Sequence, residues 1–289
     1  MDTKELPGGL YLCATPIGNL EDMTMRAIRV LQQADLIAAE DTRNSIKLLN
    51  HFDIHTPMTS YHEYNKYDKA EELISLIRQG KSVALITDAG MPGISDPGEV
   101  LSRRCHEEGL YVTVIPGACA FVSALALSGM PSRRICFEGF LSADKKERAL
   151  QLEDIKREKR TIILYEAPHH LLKTLRELSE VIGPDRELSV CRELTKRYEE
   201  AVFTTIEEAV ERFSETEPKG EFVLVIRGLD TEKLRQEEIR SFEEMELKEH
   251  MDIYLSQGLD KKEAMKRVAK DRGLSKRDIY NRLIEEQED

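Results

Sequence analysis

The sequence predicts an α/β protein with two α/β domains and a helical C-terminal extension. In the first half, short β-rich runs such as Val83 to Ile86 alternate with helical patterns, which is typical of a largely parallel sheet. In the second half, the strand patterns at 188–192 and 200–205 follow each other without a helix, which indicates a mixed sheet. Beyond Gly228 only helical patterns remain. We therefore expect an N-terminal domain at 1–117, a second domain at 118–228 and the extension at 229–289.

Apolar spacing predicts each element of the two domains in turn. In the first domain the predicted order is strand 9–13, helix 23–33, strand 36–39, a helix from about 45, helix 69–79, strand 83–86, helix 99–108 and strand 111–115. In the second domain it is helix 118–127, strand 135–139, helix 145–157, strand 162–165, helix 169–181, strands 188–192 and 200–205, helix 206–213 and strand 222–227.

The composition indicates a globular protein. Of 289 residues, 40% are hydrophobic, which is enough for a core in each domain. No apolar run approaches the ~20 residues that span a bilayer, and the N-terminus carries Asp2, Lys4 and Glu5 where a signal peptide would be apolar. The five cysteines form no Cys-x-x-Cys pair, which argues against a disulfide framework and a structural zinc site. We expect a cytoplasmic protein without a bound metal.

Charge is distributed unevenly along the chain. The net charge of −12 argues against indiscriminate binding to nucleic acid, because phosphate contacts need local positive charge. Residues 258–284 nevertheless hold nine Lys and Arg against four Asp and Glu, and residues 133–160 hold nine against six. Both segments are basic enough to contact phosphates, although solvated helix faces are the usual role of such runs.

Four turns that contain Pro, Gly or both follow strand-like runs. The longest, Thr-Asp-Ala-Gly-Met-Pro-Gly-Ile-Ser-Asp-Pro-Gly at 87–98, comes directly after Val83 to Ile86, and the others lie at 14–19, 115–118 and 166–168. Backbone so rich in Gly and Pro cannot continue as a strand or begin a regular helix, so it turns tightly at the end of the strand. One such turn is typical of a surface loop. Four of them predict a shared ligand cleft at the carboxyl ends of the strands.

The extension has the pattern of two helices joined by a turn. Gly273 ends the first helix and Ser275 is a good N-cap for the second. Their apolar stripes are formed by Leu259, Ala264, Met265, Val268 and Ala269, then by Ile279, Tyr280 and Leu283. This spacing resembles a helix-turn-helix, which would present Lys276, Arg277 and Arg282 to phosphates or bases. A charged helical hairpin that packs on its own chain or on a partner fits the pattern equally well.

Several common catalytic sites are excluded because their motifs are missing. The chain has no Gly-x-x-x-x-Gly-Lys-Ser/Thr phosphate loop and no Gly-x-Gly-x-x-Gly fingerprint. His169 and His170 have no second His or Cys at metal-ligand spacing, and no Gly-x-Ser-x-Gly elbow surrounds Ser95 and Asp96. The cleft therefore suits a ligand that is held by backbone groups and apolar contacts.

Five segments, taken in order, carry a family resemblance. They are Leu-Tyr-Leu-Cys-Ala-Thr-Pro-Ile-Gly-Asn-Leu at 10–20, Ala-Ala-Glu-Asp-Thr-Arg at 38–43, the 87–98 turn, Ile-Pro-Gly-Ala at 115–118 and Tyr-Glu-Ala-Pro-His at 165–169. Together they resemble the class III S-adenosylmethionine-dependent methyltransferases of the tetrapyrrole methylase type. Within that superfamily, residues 9–228 resemble the bacterial enzymes that methylate the ribose 2'-hydroxyl of cytidine 1402 in 16S ribosomal RNA.

The resemblance implies a fold, a cofactor and partners. It implies two α/β domains of the tetrapyrrole methylase type with the cofactor cleft between them, S-adenosyl-L-methionine as cofactor, and a homodimer. It also implies 16S ribosomal RNA, within the 30S particle, as substrate, and the extension resembles the C-terminal helices of the same branch. Two alternatives stay open: a C-methyltransferase of tetrapyrrole (sirohaem or cobalamin) synthesis, which the Glu-Asp-Thr-Arg segment and the basic extension disfavour, and a ligand-sensing DNA-binding regulator.

The resemblance also assigns cofactor-binding residues. On the long turn and the loop beside it, they are Thr15, Pro16, Asp88, Ala89, Gly90, Met91, Pro92, Ile94 and Ser95. Ser123 and Ala124 match a small pair after the Pro-Gly turn, although ordinary helix packing also explains them. The other side would be lined by Tyr165, Glu166, Leu194, Phe222, Val223 and Leu224. For Leu194 and Phe222 a buried core is a strong alternative, and Glu166 replaces an apolar residue common in the tetrapyrrole branch.

Methyl transfer to a ribose hydroxyl is an in-line displacement that is helped by alignment, by a general base and by a cation near the developing oxyanion. Asp41 and Arg43 follow a predicted strand at the cleft edge and offer one base and one cation. A structural ion pair that caps the helix at Asn44 is an equal alternative. In the loop at 61–65, polar and aromatic groups would hold a splayed-out nucleotide, and the candidate RNA contacts are His62, Glu63 and Asn65. A folded surface loop without that role is the alternative.

Overall fold

The computed structural model describes residues 6–230, 242 and 245–288, with side chains up to Leu283. The described residues form two compact units, and the chain passes from one to the other after Gly228. The first unit holds two five-stranded sheets, and the described part of the second unit consists of helices. Within the described residues, no helix combines the length and the apolar character that crossing a bilayer requires.

The first sheet is entirely parallel. Its strands are β1 (Gly9–Cys13), β2 (Leu36–Ala39), β3 (Met58–Ser60), β4 (Ser82–Ile86) and β5 (Val112–Ile115). They lie side by side in the order β3-β2-β4-β1-β5. The connecting helices are α1 (Met25–Gln33), α2 (Thr42–His51), α3 (Lys66–Arg78) and α4 (Gly98–Glu107), with a short 3-10 turn at Leu20–Asp22.

Helices cover both faces of this sheet. Apolar residues of α1 and α2 pack on one face, and those of α3 and α4 pack on the other. The central strand β4 is buried at all five positions, which explains why its sequence is a continuous apolar run and shows no alternation. The carboxyl ends of the strands therefore remain the accessible edge of this sheet for a ligand.

The second sheet is mixed. Its strands are β6 (Ile135–Phe140), β7 (Thr161–Glu166), β8 (Glu187–Arg192), β9 (Glu200–Thr205) and β10 (Phe222–Ile226), in the order β6-β7-β10-β8-β9. Only β6 and β7 pair in parallel, and the other pairs are antiparallel. Helix α5 (Ala120–Ser128) covers one face, and the other is covered by α6 (Lys145–Arg157), α7 (Pro168–Ile182) and α8 (Ile206–Glu215).

The second unit contains three described helices, α9 (Leu247–Ser256), α10 (Lys261–Asp271) and α11 (Lys276–Glu288). The turn before α11 is capped reciprocally, because the Asp278 amide donates to the Ser275 hydroxyl at 3.2 Å and the Ser275 amide donates to the Asp278 carboxylate at 3.0 Å. The core of the unit consists of Leu247, Met251, Ala264, Val268, Ala269 and Ile279. Lys276, Arg277 and Arg282 are exposed.

The α/β fold, the parallel first sheet, the mixed second sheet and the helical extension are all confirmed. Strand β3 was not predicted, because Met58–Ser60 has only three half-buried residues and no alternation to read. Helix α2 begins at Thr42 and not near Ser45, because the Asp41 carboxylate accepts a hydrogen bond from the Arg43 amide and caps the helix. Helix α9 adds a third helix to the two that the pattern of the extension predicted.

Candidate active site

A cleft of about 580 Å³ opens between the two sheets of the first unit, a volume in the usual range for a small-molecule site. On one side it is formed where β1, β2 and β4 end, and on the other where β6 and β7 end and β10 begins. Residues from the turns at 14–19, 87–98 and 166–168 line it, and so do Cys119 and Ala120, which follow the turn at 115–118. The structure therefore brings the four turns together at one cleft.

Ten of the residues assigned to the cofactor line this cleft: Asp88, Ala89, Gly90, Met91, Ile94, Ser95, Tyr165, Glu166, Phe222 and Val223. Seven assigned residues are not part of the lining: Thr15, Pro16, Pro92, Ser123, Ala124, Leu194 and Leu224. Ten lining residues were not assigned from the sequence: Ile17, Glu40, Thr87, Asp96, Cys119, Ala120, Phe140, Ala167, Pro168 and Glu221.

The long turn is held in one shape by hydrogen bonds. Thr15 and Gly90 exchange two backbone hydrogen bonds of 2.9 and 3.1 Å, and the Thr15 hydroxyl donates to the Thr87 carbonyl at 3.1 Å. The Asp96 carboxylate accepts from the Gly93 and Gly98 amides, each at 2.7 Å. Thr15 thus supports the turn from behind, and the turn meets a ligand as a preformed surface.

Gly90 is required by the shape of this turn. Its φ of +84° lies in the left-handed region, which L-residues with a side chain rarely adopt. A Cβ atom at this position would lie 3.3 Å from Cγ2 of Ile17, another residue of the cleft lining. Any side chain at position 90 therefore disturbs both the backbone of the turn and the wall beside it.

The opposite wall is aromatic. Phe137 packs edge-on against Tyr165 at 5.1 Å between ring centroids, and the Tyr165 hydroxyl accepts from the Phe121 amide at 3.2 Å. Burial raises the pKa of Tyr165 to about 12, so this hydroxyl stays protonated. A β-bulge at Gly139, with φ of +65°, turns the next residue, Phe140, into the cleft with 56% of its surface exposed.

Glu166 lies in the wall, but its carboxylate already has partners. One oxygen accepts from the Thr174 hydroxyl at 2.5 Å and the other accepts from the Ala167 amide at 2.8 Å. Arg148 in turn donates to the Thr174 hydroxyl at 2.7 Å. The side chain therefore fixes the start of α7, and these partners explain why a carboxylate is tolerated in this wall.

The remaining assigned residues are mostly buried in the protein core. Strand β10 is buried on both faces, and alternation places Leu224 against α6, α7 and α8 while Val223 faces α5 and the cleft. Leu194 and Ala124 belong to the core under α5. The Ser123 hydroxyl donates to the Cys119 carbonyl at 3.0 Å, as expected for ordinary helix packing. These side chains support the cleft without lining it.

Asp41 and Arg43 form an ion pair beside the cleft. The Arg43 guanidinium donates to both Asp41 oxygens, at 3.0 and 2.7 Å, while 88% of its own side chain is exposed. Hydrogen bonds from Arg43 lower the pKa of Asp41 to about 2. A carboxylate held ionised so firmly is a weak proton acceptor. The exposed face of the guanidinium is free to meet an anionic group.

The pair is attached to the long turn. The Asp41 amide donates to the Asp88 carboxylate at 3.2 Å, and the Asn44 side chain donates to the same carboxylate at 3.1 Å. The neighbouring Glu40 lines the cleft and accepts from the Thr87 hydroxyl at 2.7 Å. The loop after β2 and the loop after β4 are therefore one connected structure.

The loop after β3 is folded on itself. The Asn65 side chain accepts from the His62 amide at 2.8 Å, and Glu63 pairs with Lys66. Within the described residues, Nδ1 of His62 is buried without a hydrogen-bond partner. The neighbouring Tyr64 is 97% exposed. None of the three residues assigned to RNA in this loop lines the cleft.

Carboxylates give the cleft negative charge. Its lining contains Glu40, Asp88, Asp96, Glu166 and Glu221, and no Lys, Arg or His occurs among the described residues that line it. Among these five, only Glu221 forms a salt bridge within the described part of the chain, with Lys196 at 2.9 Å. Such a site favours a ligand with positive charge. In the described part of the chain, no group of three or more His, Cys, Asp or Glu side chains is arranged to hold a metal ion.

Comparison with known proteins defines the class. The profile of the tetrapyrrole (corrin/porphyrin) methylases matches residues 9–210. The structure is similar to uroporphyrin-III-C-methyltransferase from Thermus thermophilus, with a TM-score of 0.54 and 20% identity over 75% of this chain and 94% of the other. A structure of the T. thermophilus enzyme with S-adenosylhomocysteine also gives a TM-score of 0.54. Its sequence is 18% identical, over 76% of this chain and 97% of the other. The fold is that of a tetrapyrrole methylase.

Relatives of higher identity narrow the family. Ribosomal RNA small subunit methyltransferase I from Halalkalibacterium halodurans is 51% identical, over 95% of this chain and 94% of the relative. The protein of the same name from Bacillus subtilis is 46% identical, over 95% of this chain and 93% of the relative. The one from Synechocystis is also 46% identical, over 96% of this chain and 98% of the relative. The chain therefore belongs to the ribosomal RNA small subunit methyltransferase I family.

Proposed function

We propose that this protein transfers a methyl group from S-adenosylmethionine to the ribose 2'-hydroxyl of cytidine 1402 in 16S ribosomal RNA. The observation that carries the proposal is the 51% identity, along nearly the whole chain, to a protein named for methylation of small-subunit ribosomal RNA. The nucleotide and the hydroxyl come from the five segments at 10–20, 38–43, 87–98, 115–118 and 165–169, which together resemble the enzymes of this specificity.

The cleft fits the cofactor in size, shape and charge. A bound S-adenosylmethionine supplies an electrophilic methyl group on a positively charged sulfur. The five lining carboxylates suit that charge, and the aromatic wall at Tyr165 suits an apolar or planar group. The turn lets a ligand approach its backbone closely because Gly90 has no side chain, while the Gly90 amide and carbonyl themselves are bonded to Thr15. We assign the cofactor to this cleft, with Thr15 and Asp96 holding the turn in place.

Arg43 and Asp41 act on the acceptor side in this proposal. With a pKa of about 2, Asp41 is a poor general base, and its role is to orient the guanidinium. The exposed Arg43 guanidinium then stabilises the negative charge that develops on the ribose oxygen as the methyl group passes to it from sulfur, while the hydroxyl proton goes to solvent water and S-adenosylhomocysteine leaves. The hydrogen bonds from Asp41 and Asn44 to Asp88 fix the position of this cation relative to the cofactor turn.

Substrate recognition is assigned to surfaces outside the cleft. His62, Glu63 and Asn65 lie on the loop after β3, at the same edge of the first sheet as the cleft, and would contact nucleotides near the target. Lys276, Arg277 and Arg282 of the extension would contact phosphates. We further propose that the protein works as a homodimer in the cytoplasm on 30S particles.

The contribution of the extension is open to a charge test. Replacing Lys276, Arg277 and Arg282 with Ala should reduce the slope of log affinity against log salt by roughly 2 to 3, because each lost phosphate contact removes roughly 0.7 to 0.9. Binding to 30S particles would be measured at several salt concentrations, and cofactor affinity should be unchanged. The control removes three exposed cations from the first unit, Arg29, Arg176 and Lys219.

Two outcomes would contradict this role for the extension. If the triple variant keeps the wild-type affinity and salt slope, α11 has a structural role and makes no contact with RNA. If the control variant loses as much slope as the triple variant, the effect belongs to net charge and not to this helix. Either result leaves the assignment of the cofactor cleft untouched.

Methyl transfer itself is tested with labelled S-adenosylmethionine. The purified protein would be incubated with 30S particles that lack the modification, with naked 16S ribosomal RNA and with uroporphyrinogen III. We expect label in ribosomal RNA and none in the tetrapyrrole. Label in the tetrapyrrole alone would establish C-methylation, and no label in any of the three substrates would contradict the proposed methyl transfer.

A further inference from the structure

A group of cations lies at the edge of the second sheet opposite the cleft, where strands β6, β7 and β8 begin and β10 ends. Strands β6 and β7 run parallel in register, with Ile135 beside Thr161, and the Thr161 amide donates to the Arg134 carbonyl at 3.2 Å. Arg133 and Arg134 therefore enter β6 next to the point where Lys159 and Arg160 enter β7. Parallel neighbours lie about 4.8 Å apart, so these four basic residues are adjacent at one edge.

The next two strands, β10 and β8, each add an arginine to this edge. Strand β10 ends beside the start of β7, and a Cβ atom on Gly228 would lie 2.3 Å from the Arg160 carbonyl oxygen, so Arg227 is also close. Arg186 precedes β8 and donates to the Arg227 carbonyl at 3.3 Å. The ends of four neighbouring strands thus bring basic residues together.

Three of these cations have no acidic partner. Arg160 pairs with Glu158 at 2.5 Å and Arg227 pairs with Glu187 at 2.6 Å. Within the described residues, Arg133, Arg134 and Lys159 form no salt bridge, and all three are exposed. We name Arg133, Arg134 and Lys159 the basic edge.

Helix electrostatics does not explain the two arginines of the basic edge. Lys156 and Arg157 lie in the last turn of α6, where cations stabilise the helix by complementing its dipole. Arg133 and Arg134 belong to the segment between α5 and β6 and have no helix end to complement. In a chain with a net charge of −12, exposed and unpaired arginines at adjacent positions are available for an external anion.

The basic edge is separate from the cleft. Strand β7 runs from this edge to Glu166 in the cleft wall, and its six residues span about 17 Å at about 3.3 Å per residue. At about 3.4 Å per stacked nucleotide, this length corresponds to roughly five nucleotides of RNA. A polyanion that reaches both places must be longer than the target nucleotide and its immediate neighbours.

We propose that the basic edge binds the phosphate backbone of ribosomal RNA at a segment several nucleotides away from the methylated ribose. This inference rests on the proposed function, because it takes the polyanion to be the RNA substrate. Phosphate contacts position a nucleic acid without reading its sequence, so the edge would orient the particle while residues near the cleft select the nucleotide.

The test removes the two arginines and compares them with a matched pair. Arg133→Gln with Arg134→Gln should weaken binding to 30S particles roughly 10- to 40-fold at about 0.1 M salt and lower the salt slope by roughly 1.5. The rate at saturating substrate and the affinity for S-adenosylmethionine should not change. The control, Arg29→Gln with Arg176→Gln, removes the same charge from exposed positions on two other helices.

The outcomes separate this inference from the proposed function. If the wild-type protein methylates 30S particles and the Arg133 and Arg134 variant binds them with unchanged affinity and salt slope, the basic edge does not contact RNA. Equal losses in the control variant would also overturn it, since the effect would then come from net charge. If the wild-type protein transfers no methyl group to ribosomal RNA, the proposed function fails first.

Discussion

Gly90→Val should weaken the binding of S-adenosylmethionine about 10- to 30-fold. With φ of +84°, position 90 imposes about 1–2 kcal/mol of backbone strain on an L-residue, and a factor of ten corresponds to about 1.4 kcal/mol. The new Cβ also meets Ile17 at 3.3 Å. A β-branched side chain adds to both effects, so the turn abandons the shape that the cofactor needs. Isothermal titration calorimetry on the purified variant measures the loss.

Gly80→Val is the matched control for this variant. Gly80 has φ of +85°, almost the same strained conformation, but no atom lies within 4 Å of the position where its Cβ would stand. It precedes β4, at the opposite end of the strand from the cleft. We expect similar losses of thermal stability in both variants and a loss of cofactor affinity only at Gly90. Unchanged affinity in a folded Gly90 variant would place the cofactor elsewhere.

Arg43→Gln should lower the rate of methyl transfer to ribosomal RNA by about 10²- to 10³-fold, the usual cost of losing one group that stabilises an oxyanion. Cofactor affinity should change little, because the Arg43 side chain is not part of the cleft lining and bonds to Asp41 alone among the described residues. Asp41→Asn keeps the cap of α2 and loses the charge that orients the guanidinium, so it should give a smaller loss.

The dependence of the rate on pH distinguishes the two roles of Asp41. Its pKa is lowered to about 2 by hydrogen bonds from Arg43, so it is ionised at every pH from about 5 to about 9. The ion pair is present above the ordinary pKa of an aspartate and is lost only as pH falls through about 2. Asp41 therefore contributes no acid limb to the rate in the working range. An acid limb near pH 6 that disappears in Asp41→Asn would make Asp41 the base, and wild-type turnover of both variants would make the pair purely structural.

Much of the cleft could be predicted because its signals are local. The Gly and Pro residues at 87–98 restrict the backbone wherever they occur, and their position after the apolar run 83–86 places the turn at a strand end. Asp41 could be predicted at the cleft edge because the Glu-Asp-Thr-Arg segment directly follows strand β2, as the long turn follows β4. The two helices of the extension around this turn could also be predicted from the sequence, since Gly273 and Ser275 mark the end of one helix and the start of the next.

Five of the missed residues, Ile17, Thr87, Asp96, Ala167 and Pro168, lie within the predicted turns, whereas others depend on contacts that sequence spacing does not reveal. Phe140 reaches the cleft only because of the bulge at Gly139, and Glu40 because its carboxylate binds Thr87, 47 positions away in the chain. Strand β10 is apolar at every position, so its sequence could not show that Leu224 faces away from the cleft. The grouping of Arg133 and Arg134 with Lys159 required the parallel register of β6 and β7.

The chemical position of the transferred methyl group tests the central claim most directly. Unmodified 30S particles would be incubated with the protein and labelled S-adenosylmethionine, and the 16S ribosomal RNA would be digested with nuclease and analysed by mass spectrometry. A methyl group on a ribose 2'-oxygen also makes the adjacent phosphodiester resistant to alkali, which marks the nucleotide independently. The account predicts one 2'-O-methylcytidine, at position 1402. Label on a base, on another nucleotide or on no RNA at all would contradict it.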